Sequence, residues 1–263
     1  MVHAMPSEKT ESEVRSALMR HFQALGYWNA SESVALSMSL DGMRSRLDYV
    51  ASRVPPEIFS ETSRVLVSGM EVGGEMLVAR ERGAGCVHGV EVDPVYVDLC
   101  RRRFDGLEGL FPLLYDGETL PFEPASFDLV LSGHIIEHTR EPRGYLEELL
   151  RVLRPDGWLF LEFPTRFHWR ELHTSLPSVE WLPSPARNGV LRFAGGRFSP
   201  FGESVKQKCR TILGTGLKQI SAGGVRRWLA ESRYPANVAD LHRPAPGIVR
   251  CLIRGAILET SRH

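Results

Sequence analysis

Apolar residues recur along the first fifty positions at helical spacing. Val14, Leu18, Phe22 and Leu25 run up to Gly26, and Thr10-Glu11-Ser12-Glu13 ahead of them has the form of a capping box, so a helix is predicted over 12–25 after a loose terminus. A second helical stripe opens near Ser31 and carries Leu36, Leu40, Met43, Leu47 and Val50 on one face until Pro55-Pro56. From Arg64 the rhythm changes to short apolar runs: Val65–Val67, Val87–Val92, Leu110–Tyr115, Phe127–Ser132 and Trp158–Phe163. Helical stretches separate several of them, beginning at Met76, Val95 and Gly144. Strands that alternate with helices and are apolar on both faces predict a parallel, doubly wound α/β sheet of the Rossmann-like kind.

After Phe163 the alternation lapses. Pro164, Pro177, Pro183, Pro185 and Pro200 punctuate a stretch that also holds Phe167, Trp169, Trp181, Phe193, Phe198 and Phe201, too many rings to leave in water, so an ordered insertion over the ligand edge of the sheet is expected. A helix over Val225–Glu231 and strands over Asn237–Leu241 and Ile248–Ile253 then complete seven strands, the last antiparallel. The expected organisation is an N-terminal helical cap (1–58), an α/β core (59–165), the insertion after strand five (166–222) and the completion of the core (223–263).

Composition narrows the partners. Hydrophobic residues at 43% and charged residues at 24% suit a folded chain with a sizeable core, which excludes disorder as the whole account. Lys plus Arg equals Asp plus Glu at 32 each, so no net field draws a polyanion, and a small-molecule partner is expected rather than nucleic acid or a membrane surface. Cys86, Cys100, Cys209 and Cys251 lie far apart without metal-ligand spacing and read as reduced packing residues, with no metal site expected. The chain has no membrane-length apolar run, and a cytoplasmic location is expected. Oligomeric state stays open.

In open α/β sheets a ligand sits beyond the carboxyl ends of the strands, where strand order reverses. The first strand ends in Gly69-Met70-Glu71-Val72-Gly73-Gly74-Glu75, a turn whose glycines let the backbone approach a ligand and whose following helix offers free amides. The second ends in Glu91, twenty residues beyond Glu71, where a carboxylate can accept both hydroxyls of a ribose. The third ends in Asp116-Gly117-Glu118, followed by Leu120-Pro121-Phe122 and Ser126-Phe127-Asp128-Leu129-Val130. A nicotinamide site competes, but Gly69, Gly73 and Gly74 do not make G-x-G-x-x-G.

The order and spacing of these segments, with Leu153-Arg154-Pro155-Asp156-Gly157 after them, resemble the class I S-adenosylmethionine (SAM)-dependent methyltransferase family, in particular its type 11-like group, over Val65 to Phe163. The resemblance implies that Gly69, Met70, Glu71, Gly73 and Glu75 receive the methionine part of SAM, Glu91 and Val92 the ribose, and Asp116 the adenine amino group, with Gly117 and Glu118 beside the ring. Ser132 to His134 would flank the sulfonium, and a segment around His173 would help form the acceptor pocket beneath a lid made by the insertion. One departure matters: the family's usual acid at the end of the first strand is Val67, and Glu71 stands where glycine is usual, so Glu75 would supply the missing carboxylate.

The implied activity is methyl transfer to a small metabolite, of the kind met in secondary metabolism, giving S-adenosylhomocysteine. The substituted turn raises a second reading, a cyclase or alkyltransferase similar to azetidine-2-carboxylate synthases that releases methylthioadenosine; a third is a SAM-binding protein without catalysis. Should the acceptor need a base, His134 and His173 are the leading candidates, ahead of His168 and of His138, which resembles a structural feature of the family.

Overall fold

A computed structural model describes residues 4–27, 29–164, 179, 182–202, 205–207, 209, 210, 213, 216, 218–243 and 248–255. Three helices come first: α1 (Glu8–Ala24), α2 (Ala30–Met38) and α3 (Asp41–Ala51). α1 starts earlier than the capping-box pattern suggests, because Ser7 rather than Thr10 caps it, its Oγ accepting the Thr10 N–H at 3.1 Å. The single helix expected from Ser31 to Pro55 is two helices. The backbone turns extended at Ser39 (φ −77°, ψ 123°) and the helix restarts at Asp41. The stripe of Leu36, Leu40, Met43, Leu47 and Val50 stays in phase across the break, which hid it; Leu36 is 76% exposed while Leu47 and Val50 are fully buried.

The α/β core then alternates β1 (Arg64–Ser68), α4 (Gly74–Glu81), β2 (Cys86–Glu91), α5 (Pro94–Arg103), β3 (Leu110–Leu114), β4 (Phe127–Gly133), α6 (Pro142–Val152) and β5 (Leu153–Pro164). α7 (Ser184–Gly195), α8 (Ala222–Ala230), β6 (Ala236–His242) and β7 (Ile248–Gly255) follow. The seven strands lie in the order β3-β2-β1-β4-β5-β7-β6. β1 to β5 pair in parallel, and β7 runs antiparallel to both β5 and β6. Strand order therefore reverses between β1 and β4, which opens a crevice at their carboxyl ends.

Successive strand residues feed opposite cores. Val65, Val67, Leu129, Leu131, Trp158 and Phe160 pack with Leu47 and Val50 of α3, Met76 and Leu77 of α4 and Val97 and Cys100 of α5. Leu66, Val130, Leu159 and Leu161 pack on the other face with Leu146, Leu149 and Leu150 of α6 and Val225 and Leu229 of α8. Period-two alternation of wholly apolar strands thus accounts for helices on both faces.

α1 and α2 dock on the turn after β1 rather than on the sheet itself. Val14, Leu18, Phe22, Val34 and Met38 close over Val72 and Leu99. Beneath them the buried Arg103 guanidinium donates to both carboxylate oxygens of Glu11, at 2.7 and 2.9 Å, and to the Val72 carbonyl at 2.7 Å. One side chain of α5 thereby holds both α1 and the glycine turn. α3 presses on the start of α4: a Cβ on Gly74 would lie 2.4 Å from Met43 Sδ. Among the described residues no helix is long and apolar enough to cross a membrane.

Breaking a buried, bidentate pair leaves a charge without its partner. Arg103→Ala is expected to lower unfolding free energy by about 3 kcal/mol in denaturant titration, at the low end of the scale because Glu11 keeps some solvent. A loss below about 0.5 kcal/mol, the scale of an ordinary surface substitution, would show that the pair does not anchor α1.

Candidate functional site

Two cavities open at the carboxyl ends of β1, β2, β3 and β4. One, of about 440 Å³, is lined by Gly69, Met70, Glu71 and Glu75 from the glycine turn, by Gly133, His134 and Ile135 after β4, by Glu162 and Arg250, and by Arg46 and Met43 of α3. The other, of about 430 Å³, is lined by Gly69, Glu91, Val92, Tyr115, Asp116, Gly117 and Glu118, with Ile135, His138 and Arg140 on its far wall. Gly69 and Ile135 belong to both. A Cβ on Gly69 would lie 2.1 Å from Ile135 Cδ1, and φ there is +76°, so only glycine lets the Ile135 side chain lie against the turn between the two spaces.

The second cavity is a set of acceptors fixed by backbone amides. Glu91 accepts the Val92 and Asp93 N–H groups on Oε1, at 2.7 and 3.3 Å, and the Glu71 N–H on Oε2, at 3.2 Å. These bonds fix the carboxylate while leaving lone pairs free. Asp116 Oδ1 accepts from Glu118 N and Thr119 N at 2.8 and 2.9 Å, and these bonds hold its carboxyl below the ordinary range. Glu118 in turn pairs with Arg140 at 2.9 Å.

The first cavity is a buried charge cluster. Glu162, 3% exposed near the end of β5, faces His134 Nε2 at 3.1 Å, Arg46 Nη1 at 3.7 Å and Arg250, which donates to it. Burial alone would raise its carboxyl; hydrogen bonds from His134 and Arg250 and the charge of Arg46 outweigh that and bring it down to about 2. His134 has a left-handed backbone (φ +58°), and its ring stands between Glu162 and Glu137, whose Oε1 is 3.7 Å from Nδ1. Burial would lower the imidazole, but the neighbouring carboxylates of Glu137 and Glu162 raise it to about 9. Glu75 is buried and its carboxyl stands above the ordinary range, because burial outweighs the attraction of Arg46, 3.8 Å away. Its Oε1 has no hydrogen-bond partner.

Most residues singled out from the sequence meet here. Gly69, Met70, Glu71, Glu75 and His134 line the first cavity, and Glu91, Val92, Asp116, Gly117 and Glu118 the second. Gly73 and Ser132 line neither. Gly73 is the left-handed cap of α4, where a Cβ would meet Phe104 Cζ at 2.2 Å, and Ser132 Oγ sits in a buried hydroxyl chain with Tyr145 and Ser68, each link 2.8 Å. His168, His173 and the segment 165–178 lie outside the described residues, as does Trp181 of the aromatic insertion. Arg46, Glu162 and Arg250 were not singled out. Glu162 had a signal, a lone acid inside the apolar run Trp158–Phe163; Arg46 and Arg250 had none that separates them from solvated arginines. Among the described residues no group of His, Cys, Asp and Glu could hold a metal ion.

The fold and these strand ends define a doubly wound α/β domain with cavities at its switch point. A family model described as a methyltransferase domain matches residues 66–161, within the span whose motifs resemble the class I SAM-dependent methyltransferase family. The chain is 37% identical over 176 residues to a phthiotriol/phenolphthiotriol dimycocerosates methyltransferase of Mycobacterium leprae, a match covering 66% of this chain and 53% of that protein. It is 30% identical over 122 residues to a probable phthiotriol/phenolphthiotriol dimycocerosates methyltransferase 2 of Mycobacterium ulcerans, covering 46% and 44%. The matched stretches span about half or less of these curated relatives' length. Among solved structures, the fold is similar to a SAM-dependent methyltransferase from Mesorhizobium loti, with a TM-score of 0.57 at 16% identity, over 82% of this chain and 100% of that one.

The His134–Glu162 pair has a defined pH window. A raised His contributes stability that is complete below its unfolded value near 6.5 and is lost as pH rises through about 9; a depressed Glu contributes stability that is complete above its unfolded value near 4.5 and is lost as pH falls through about 2. Both contributions are whole between pH 4.5 and 6.5. Glu162→Gln is expected to move the His134 titration in NMR down from about 9 to neutrality or below. An unmoved titration would mean that Glu162 does not hold the imidazolium.

Proposed function

We propose that the chain is a SAM-dependent methyltransferase acting on a small-molecule metabolite. The observation that carries this reading is the convergence of the Gly69 turn, Glu91 and Asp116 on two cavities that share Gly69 and Ile135, with His134 and Glu162 lining one of them. The residues fit the cofactor. Gly69 leaves room for Ile135 between the two cavities, Glu91 presents a carboxylate already oriented by three amides, and Glu75 keeps a buried oxygen without a hydrogen-bond partner among the described residues.

In this reading Glu91 accepts the ribose hydroxyls, and Asp116, whose Oδ1 is engaged with the loop amides, offers Oδ2 to the adenine amino group. Gly117 and Glu118 border the ring. Gly69, Met70, Glu71 and Glu75 surround the amino-acid end, Gly73 shapes the turn by packing, and Ser132 supports the floor from below. When bound, SAM supplies an electrophilic methyl on a sulfonium leaving group, so positioning and exclusion of water provide much of the rate. His134 is an imidazolium at neutral pH, which makes it a hydrogen-bond donor to an acceptor oxygen rather than a resting base. A base, where the acceptor requires one, falls to His173 in the insertion that would cover the pocket. Relatives named for methylating phthiotriol dimycocerosates support a small-molecule acceptor, and the absence of a membrane-length helix among the described residues fits a cytoplasmic enzyme.

Mass spectrometry of the chain incubated with SAM, with and without small-molecule extracts, tests the reaction. S-adenosylhomocysteine formed only with an acceptor is the expected product. Methylthioadenosine formed from SAM alone would replace methyl transfer by attack on the methionine chain, and neither product despite tight binding would leave a sensor. In calorimetry, Glu91→Ala should weaken SAM by about 1–3 kcal/mol, the scale for leaving buried hydroxyls unpaired. Asp116→Ala should weaken it more than Asp116→Asn, whose amide oxygen still accepts one bond; equal losses would count against the adenine role.

A further inference from the structure

Building on the SAM reading, we propose that Arg46 of α3 and Glu75 of α4 form a two-point clamp for the α-amino-acid group of the cofactor, with Arg46 binding the carboxylate and Glu75 the ammonium. The N-terminal helices are then a wall of the cofactor site, and the clamp takes the place of the acid that Val67 lacks.

Both side chains face the cavity beside Gly69, and both are under-bonded. Arg46 lies 3.8 Å from Glu75 Oε1 and 3.7 Å from Glu162 Oε1, within ion-pair range but too long for hydrogen bonds. Glu75 Oε1 is buried with no hydrogen-bond partner among the described residues, an orphan of the kind that a ligand donor resolves. A zwitterion with its charges on neighbouring atoms answers both needs at once. A lone anion would satisfy Arg46 and leave Glu75 bare, whereas a lone cation would do the reverse.

The fold also makes deliberate room for the arginine. A Cβ on Gly133 would stand 2.4 Å from Arg46 Nη1, so the guanidinium rests on the bare backbone at the end of β4. Met43, one turn earlier on α3, fills the corresponding gap over Gly74, which fixes the helix against the start of α4. Glu162 and Arg250 pair with each other behind the clamp. Arg46 therefore stays charged and available while Glu162 is neutralised from the other side.

The test is a calorimetric comparison of three ligands on wild-type protein and on Arg46→Ala. SAM carries both charges of the amino-acid group, decarboxylated SAM only the ammonium, and methylthioadenosine neither. Wild type is expected to bind decarboxylated SAM roughly 10- to 100-fold more weakly than SAM, the range for charge-assisted hydrogen bonds. Arg46→Ala should lose that discrimination while binding methylthioadenosine as wild type does; Glu75→Gln should weaken SAM and decarboxylated SAM alike. Gly133→Ala, which removes no charge but displaces the guanidinium, should reproduce the Arg46→Ala pattern and guards against a variant that fails to fold. Wild type that treats SAM and decarboxylated SAM equally overturns the clamp while leaving the cofactor reading intact. Equal weakening of all three ligands in a folded Arg46→Ala also overturns it. Wild type that binds no adenosine ligand overturns the cofactor reading itself.

Discussion

Glu162 is a carboxylate that cannot remain charged where it stands unless cations come to it. It sits near the carboxyl end of β5, in a run that is otherwise wholly apolar, and the cost of burying an unpaired carboxylate would far exceed what one strand can offset. Three cations from three regions of the chain meet it: Arg46 from the N-terminal helices, His134 from the left-handed turn after β4, and Arg250 from the antiparallel strand β7. The His134 backbone N–H adds a bond to the Glu162 carbonyl at 2.8 Å. The N-terminal helices, the switch point and the C-terminal hairpin are thus held around one cavity by a single charge, and the site is a place where three regions agree.

Electrostatics differ sharply between the two halves of the crevice. On the β2 and β3 side, carboxylates are fixed by neutral backbone amides and so remain free to accept from a ligand. On the β4 and β5 side, charges neutralise each other, and among the described residues Glu75 retains an unmet oxygen near Arg46. A ligand with neutral donor groups at one end and opposite charges at the other matches this division. Ile135 lies against Gly69 between the halves.

Much of this was legible in the sequence because the relevant signals are local. Period-two apolar runs separated by helices fixed the doubly wound sheet, and the acids at the ends of β2 and β3 announced themselves by following apolar strands directly. What stayed hidden depends on distant parts of the chain meeting. The break between α2 and α3 leaves the apolar stripe in phase, so periodicity alone runs through it. Arg46 and Arg250 become site residues only because α3 and β7 arrive beside β5, an adjacency no local pattern carries. Ser132 and Gly73 illustrate the opposite case: both sit in motif positions, yet a hydroxyl chain to Tyr145 and Ser68 and close packing on Phe104 account for them.

On the proposed reading, SAM lies along the carboxyl ends of β1, β2 and β3 under a wall made by α3. Hydrogen–deuterium exchange with and without SAM tests it most directly, since slowed exchange reports where the ligand orders the backbone. The account predicts protection in residues 69–75, at 91–93 and at 116–119, together with α3 around Arg46. Protection absent from these four segments, or confined to the outer face of α1 and α5, would contradict it.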